Sequence, residues 1–370
     1  MTATKGLEGI VATTSSISSI IDGVLTYRGI NIDDLADHAQ FEEVIYLLWY
    51  GKLPNRMELE ELQTVLNNYA DIPQQIIDQI RNFPKGANSM AVLRSAISLL
   101  ALYDEEADNQ STEANFRKAA KLQAKLPGLV ATFARVREGK EPIAPKKGAS
   151  IAHNFLYMLS GKEPNEIEVT ALNKALVLHA DHELNASTFA ARVTVATLSD
   201  IYSGVTSAIG ALKGPLHGGA NEAVMRMLED IGSVENVKPY IQEQLDNKVK
   251  IMGFGHRVYK NGDPRAKHLQ KMSYELGKIT GFMDWYTMSV QIEEMVTGLK
   301  GLKPNVDFYS ASVYTSLGIP RDLFTPIFAI SRVSGWTAHI LEQYENNRLI
   351  RPRAEYVGPT SQPYVPIENR

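Results

Sequence analysis

Two histidines in this chain each stand beside glycines, and a lone aspartate follows them. His217 lies in Gly214-Pro215-Leu216-His217-Gly218-Gly219-Ala220-Asn221, His256 in Gly253-Phe254-Gly255-His256-Arg257-Val258-Tyr259, and Asp307 in Asn305-Val306-Asp307. Glycine lets a ligand approach the main chain closely. Two imidazoles with a carboxylate suit acid–base chemistry on a carbonyl compound, which requires neither a thiol nor a metal. His217 directly precedes a helical pattern whose apolar face is Val224, Met227, Leu228 and Ile231. The positive end of the helix dipole disfavours imidazolium there, and a neutral imidazole polarises a carbonyl by donating a hydrogen bond. The bland alternative is that Pro215, Gly218 and Gly219 merely build a turn; glycines around an otherwise unexplained histidine favour function. Asp307 precedes a helix and is either its cap or a carboxylate base.

Arginines supply anion-binding groups. Asp263 as N-cap and Pro264 at the first position make a good helix start, with Leu269, Met272 and Leu276 behind them. Arg265 then falls in the first turn, where the dipole opposes a cation. A carboxylate ligand at that same N-terminus would satisfy both. Arg332 lies inside the apolar helix Phe324–Trp336, and the nearest acids, Asp322 and Glu342, are too far for an i,i±4 pair. An interior arginine needs an anion, either a structural acid from elsewhere or a substrate carboxylate held bidentately. Arg348, Arg351 and Arg353 follow, and Pro352 and Tyr356 suggest a fixed conformation there rather than a solvated tail.

His179-Ala180-Asp181-His182-Glu183 invites a metal reading, because histidines three apart share a helix face. It fits neither H-E-x-x-H nor H-x-x-E-H. His179 continues the stripe of Leu172 and Leu176 and reads as a core histidine. His182, off that stripe at the helix end, is the better ligand contact.

The elements that must position these groups are helical. A short β-hairpin around Asp22-Gly23, ending at Gly29, opens the chain. Helices fit Phe41–Tyr50, a segment capped by Asn55 with Glu58, and Ala87–Tyr103 as a central helix. Glu113–Glu138 should kink or break at Pro127. Further helices fit Asn165 to about His182, Thr188–Leu212, Asn221–Ile231, Pro264–Thr280, Trp285–Lys300, Tyr309–Leu317 and Leu323–Tyr344. No strand–helix alternation appears, so the fold class is mostly α rather than a doubly wound sheet. Gly/Pro punctuation near 214–219, 253–264 and at Ile319-Pro320 marks crossings between a large helical domain and a smaller inserted one.

Composition excludes several functions. The 370 residues carry no cysteine, which removes disulfides, thiolate nucleophiles and iron–sulfur ligation. A net charge of −4 with no basic tail offers nothing to nucleic acid. The sequence carries no P-loop, dinucleotide fingerprint or G-x-S-x-G elbow. With no signal-like start and no apolar run of membrane length, a cytoplasmic location is expected.

Taken together, Gly214–Asn221, Gly253–Arg265, Asn305–Asp307, Phe328–Trp336 and Ile350–Gly358 resemble the citrate synthase family. His179–Ser187 and Gly6–Gly29 are also similar, and the likeness to the shorter bacterial and archaeal class covers nearly the whole chain. The resemblance implies a two-domain, nearly all-helical homodimer, with residues 1–215 plus 320–370 as the large domain. Residues 216–319 would be a small domain that closes over substrate. It implies condensation of acetyl-CoA with oxaloacetate and hydrolysis of citryl-CoA, with Asp307 as base, His217 on the thioester oxygen and His256 on the oxaloacetate carbonyl. His182, Arg265, Phe328 and Arg332 would hold oxaloacetate, joined by Arg351 from the other subunit. Ile251, Met252, Gly253, Phe254 and Gly255 would line the CoA site, with Lys260 on a CoA phosphate. No metal or other cofactor is implied. The rival within the family is 2-methylcitrate synthase, which takes propionyl-CoA. Outside it stand a non-catalytic CoA- or carboxylate-binding protein and a metal-dependent lyase.

Overall fold

Asp22 and Gly23 both take positive φ, 51° and 81°, the geometry that turns one strand directly back on the next. Ser18–Ile21 and Val24–Tyr27 therefore pair antiparallel, and Ile30–Asn31 adds a third strand, one more than the expected hairpin. The computed structural model describes residues 5–7, 9–256 and 258–370, and among these the remaining regular structure is sixteen α-helices and short 3-10 turns.

The sheet is small but it fixes a loop. Tyr27 donates its hydroxyl proton toward the carbonyls of Val177 and Asp181, each 3.1 Å away, and Ser18 bonds the Asp181 carboxylate. The Ile20 N–H donates to Glu183 Oε1 at 2.6 Å, and the Glu183 N–H to Ser18 Oγ at 2.9 Å. Residues 180–185 are thereby pinned from below.

The centre of the molecule is helix Phe324–Glu345, in which every residue from Phe324 to Ile340 is buried. A helix buried all round must satisfy its polar side chains internally. Ser334 and Thr337 accordingly bond back to the Ser331 and Val333 carbonyls. Gly335 lets this helix pass the pinned loop, since a Cβ there would sit 2.4 Å from the Ala180 carbonyl. Helices Ala220–Ile231, Ala266–Thr280, Met283–Lys300 and Val306–Ser316 pack mainly on one another. Their principal contact with the rest is Ala266–Thr280 against Glu166–His179.

Several expectations need correction. Pro127 does not break its helix, which runs from Thr112 to Arg137. The proline removes one hydrogen bond, but packing on helices Arg56–Tyr69, Ile151–Ser160 and Phe324–Glu345 holds the rod together. Helix Ser89–Ala101 is not central, because Arg94, Ser95 and Ser98 face solvent. The stretch 188–212 is two helices, Ala186–Val195 and Ile201–Leu212, with Leu198 at φ 65° and Asp200 capping the second. Helix Glu166–His179 stops at His179, so His182 lies in the pinned loop and the two histidines share no helix face. Helices Ile32–His38, Gln74–Asn82, Ile151–Ser160 and Val237–Asp246 had no counterpart in the sequence reading.

Candidate active site

Helix Ala186–Val195 begins just after the pinned loop, and its first-turn N–H of Ser187 points at His217 Nε2 at 3.3 Å. That contact requires a lone pair on Nε2, which places the His217 proton on Nδ1. Ser187 Oγ lies 2.8 Å from the same nitrogen and itself receives the Trp336 indole N–H at 3.0 Å. Burial and then Arg332 lower the His217 pKa to about 4. A neutral imidazole was expected from the helix that follows His217; the helix end that touches the ring belongs to Ala186–Val195 instead. Ser187 carried no signal in the sequence.

His256 is oriented by its own loop. Its Nδ1 accepts the Val258 N–H at 3.0 Å and lies 3.3 Å from that of Tyr259, so its proton sits on Nε2. Burial and Arg265 bring its pKa to about 4. The His256 and His182 rings stand 5.1 Å apart, edge to face. Burial, then Arg265, Arg332 and His256, hold the His182 pKa well below its ordinary value. Three imidazoles here are therefore neutral at physiological pH.

Two arginines flank them and differ in kind. Arg265 is buried and bound by Asp263, with Nε to Oδ1 at 2.9 Å and a terminal nitrogen to Oδ2 at 2.8 Å. The anion expected beside Arg265 is thus present within the chain. Asp263 still caps the turn, accepting the Arg265 N–H at 3.0 Å, while regular helix starts at Ala266. Burial works against both charges, and the pairing overrides it, raising Arg265 and lowering Asp263. Arg332, 1% exposed, has no carboxylate within ion-pair distance among the described residues. Its Nε donates to the His179 carbonyl at 2.7 Å and its guanidinium stacks 4.7 Å over Phe328. Burial pushes its pKa down to about 10. Phe328 also meets the His179 ring edge to face at 4.9 Å and lies 6.4 Å from His217. His179 is buried as expected, but only its Nδ1 is bonded, to the Ala175 carbonyl at 2.7 Å; Nε2 has no partner among the described residues.

Asp307 is the second residue of helix Val306–Ser316; the cap is Asn305, so the capping alternative falls. Its Oδ1 is buried and has no hydrogen-bond partner among the described residues. Burial lifts its pKa from 3.8 to about 6, with Arg265 and Arg332 opposing and Asp263 reinforcing. Asp263 Oδ2 also accepts the Val306 N–H at 3.0 Å, which ties Arg265 to the turn that carries Asp307.

The loop Ile251–Gly255 is stitched to residues 303–305. Gly255 N–H donates to Lys303 O, Asn305 N–H to Gly253 O and Asn305 Nδ2 to Gly255 O, each at 2.9 Å. Those main-chain groups are occupied by the chain rather than offered to a flat ligand, contrary to the simplest reading of the glycines. Gly253 is required here: φ is 81° and a Cβ would meet Phe308 and Val224 at 2.8 Å. Ile251 and Phe254 are buried, Met252 is half-buried and Lys260 is exposed. Arg351 is exposed and is not gathered with the others. It lines a groove with Phe189, Arg192, Glu342 and Arg348 that none of His182, His217, His256 or Asp307 enters.

Neutral imidazoles, an acid poised near neutrality and a buried cation without a counter-ion define an enzyme that performs acid–base chemistry on a carboxylate-bearing compound. Comparison with known proteins narrows this. A family described as "Citrate synthase, C-terminal domain" matches residues 6–353. Citrate synthase 2 of Bacillus subtilis (strain 168) is 66% identical over 371 residues, covering 100% of each chain. The 2-methylcitrate synthase 1 of Corynebacterium glutamicum is 42% identical over 373 residues, covering 99% of this chain and 98% of its own. The citrate synthase of Thermoplasma acidophilum, solved as a ternary complex with carboxymethyl coenzyme A and oxaloacetate, superposes with TM-score 0.93 at 37% identity over 99% of each chain. The chain belongs to the citrate synthase family. It is an acyltransferase, and among the described residues no helix is long and apolar enough to cross a membrane.

Proposed function

We propose that this site condenses acetyl-CoA with oxaloacetate and hydrolyses the resulting citryl-CoA to citrate and CoA. The observation that carries this reading is the combination of a raised-pKa carboxylate at Asp307 and a buried guanidinium at Arg332, neither with a counter-ion or, at Asp307 Oδ1, a hydrogen-bond partner among the described residues. Asp307 takes a methyl proton from the thioester. His217, protonated on Nδ1, donates to the thioester oxygen as it gains enolate character. The methylene carbon then bonds to the oxaloacetate carbonyl carbon, and His256 donates from Nε2 to the carbonyl oxygen. Arg332, Arg265 and His182 hold the dicarboxylate beside Phe328. Water then cleaves the thioester and CoA leaves as the thiol. Ile251, Met252, Gly253, Phe254 and Gly255 support the CoA side, with Lys260 at a phosphate. Closure of residues 216–319 over the rest excludes water before the carbon–carbon bond forms.

Steady-state thiol-release assays run in parallel with acetyl-CoA and propionyl-CoA test the assignment. One methylene is worth about 1–3 kcal/mol in a pocket, so kcat/KM should favour acetyl-CoA by at least about tenfold. Preference for propionyl-CoA would make the protein a 2-methylcitrate synthase. The pH dependence has a definite sign. The base must be ionised, so kcat/KM should fall tenfold per pH unit below about 6. A flat profile down to pH 5 would remove Asp307 from that role.

The chain acts as a homodimer in this reading, and Arg351 completes the partner's site. Support comes from the exposed terminal arm, where Leu349, Tyr356, Val357, Tyr364 and Ile367 present apolar side chains to solvent. Arg351→Ala should raise the KM for oxaloacetate by roughly 10- to 100-fold. Mixing refolded Arg351→Ala and Asp307→Ala chains should restore activity, because one site of each hybrid is then intact. No recovery on mixing would place Arg351 in its own subunit's site or outside any site.

A further inference from the structure

His182 sits in a loop, and the residues on both sides of it are held by one hydroxyl from the start of the chain. Ser18, on strand Ser18–Ile21, accepts the Glu183 N–H at 2.9 Å and donates its own proton to Asp181 Oδ2. Both directions are fixed, because an N–H can only donate and a carboxylate only accept. The reaction just described gives this serine no task.

Asp181 is gripped from the opposite side as well. Arg192 lies 3.0 Å from His339 Nδ1, and a guanidinium has no acceptor, so Nδ1 carries the lone pair. The His339 proton is then on Nε2, which donates to Asp181 Oδ2 at 3.2 Å. His339 and Arg332 belong to one helix, Phe324–Glu345, and Gly335 between them lies so close that a Cβ there would collide with Asp181 Oδ1. Asp181 therefore registers the loop against the helix that carries Arg332. Glu183 is the strained side, with φ at 49°, a region unfavourable to any residue with a Cβ. Such a backbone persists only where surrounding contacts outweigh its cost. Two contacts from one strand do so: the Glu183 N–H on Ser18 Oγ, and the Ile20 N–H on Glu183 Oε1 at 2.6 Å. Relaxation of that φ would turn the chain immediately after His182.

We propose that Ser18 is a positioning residue that acts through His182: its hydroxyl clamps the residues before and after the imidazole, sets the ring's place relative to Arg332, and thereby tunes the hold on oxaloacetate. The proposal rests on the reading of His182 and Arg332 as oxaloacetate contacts. Loss of the hydroxyl frees Glu183 to leave the left-handed region and lets His182 drift from its position, while the carboxylate of Asp181 stays on His339.

Steady-state thiol-release kinetics of wild type, Ser18→Ala, His182→Ala and the double variant test this. Ser18→Ala should lower kcat/KM for oxaloacetate roughly 3- to 30-fold, the worth of one to two hydrogen bonds. The loss should lie in KM, and the KM for acetyl-CoA at saturating oxaloacetate should stay at its wild-type value. In the His182→Ala background the same substitution should change kcat/KM by less than about twofold, because the group it places is gone. A serine that merely supports the fold would instead cost the same in both backgrounds. Equal costs in both, an unchanged kcat/KM in either single variant, or a parallel rise in both KM values overturns the proposal while leaving the function intact. Should Ser18→Ala fail to fold, Ser18→Cys, a weaker donor and acceptor at the same position, takes its place in the cycle. Failure of wild type to release thiol from acetyl-CoA with oxaloacetate would overturn the function and this proposal with it.

Discussion

Asp307→Ala should lower kcat by about 10²- to 10⁴-fold, the range for loss of a positioned general base, while oxaloacetate still binds. The methyl group of a thioester is far too weak an acid for an ordinary carboxylate. Here burial weakens the carboxylate's solvation and brings its pKa to about 6, so the ionised base is both present at neutral pH and more strongly basic than in water. Among the described residues no hydrogen bond to Oδ1 must be broken before it takes a proton. The same burial has a thermodynamic consequence. The folded pKa is above the unfolded one, so the stabilising preference for the protonated form is complete below about pH 4. It is lost as pH rises through about 6. Asp307→Asn should therefore be inactive yet at least as heat-stable as wild type at pH 7. Kinetic assays beside thermal melts check both halves. Near-normal turnover from either variant would remove the base assignment, and a large drop in Tm for Asp307→Asn would mean the carboxylate is structural.

Arg332→Met should raise the KM for oxaloacetate by about 30- to 1,000-fold, the effect of removing one partner of a desolvated charge pair. Meanwhile it should leave folding unharmed. The guanidinium is buried without a carboxylate partner among the described residues, and its pKa is depressed to about 10. Its charge therefore opposes folding at every pH below about 10, and the opposition eases only as pH rises through that value. Replacing a buried charge by an apolar residue of similar volume is neutral or stabilising by roughly 1–4 kcal/mol. Arg265 should behave oppositely, because Arg265→Met strands the Asp263 carboxylate and should lower Tm. Calorimetric titration of oxaloacetate and thermal melts of the two variants would separate them. Loss of stability in Arg332→Met would show that the arginine serves the fold rather than a ligand.

These contrasts bear on what the sequence could reveal. Helix starts marked by a local cap were legible: Asn55 with Glu58 and Asn165 with Glu168 form the expected capping boxes. His217, His256 and Arg332 stood out because each breaks a local rule or sits among glycines, whereas Asp307 stood out only beside them and through the family resemblance. Tertiary facts were not legible. Pro127 reads as a breaker because its neighbours in space are invisible along the chain. Asp263 reads as a cap because its bond to Val306, 43 residues on, leaves no local trace. Ser187 touches an imidazole brought to it by folding alone. Arg332 and Arg265 looked alike in sequence, and only the coordinates distinguish an arginine with an internal counter-ion from one without.

The stitching of residues 253–255 to 303–305, with Asp263 bridging Arg265 and Val306, makes His256, Arg265 and Asp307 a single mechanical piece. Arg332 belongs to a different frame, helices Ala186–Val195 and Phe324–Glu345, which His217 touches through Ser187. In the proposed reaction the base on the first piece is idle until it meets the enol donor His217, which contacts the second. On that proposal reactivity is a property of alignment, and a misaligned molecule would be silent instead of wasteful.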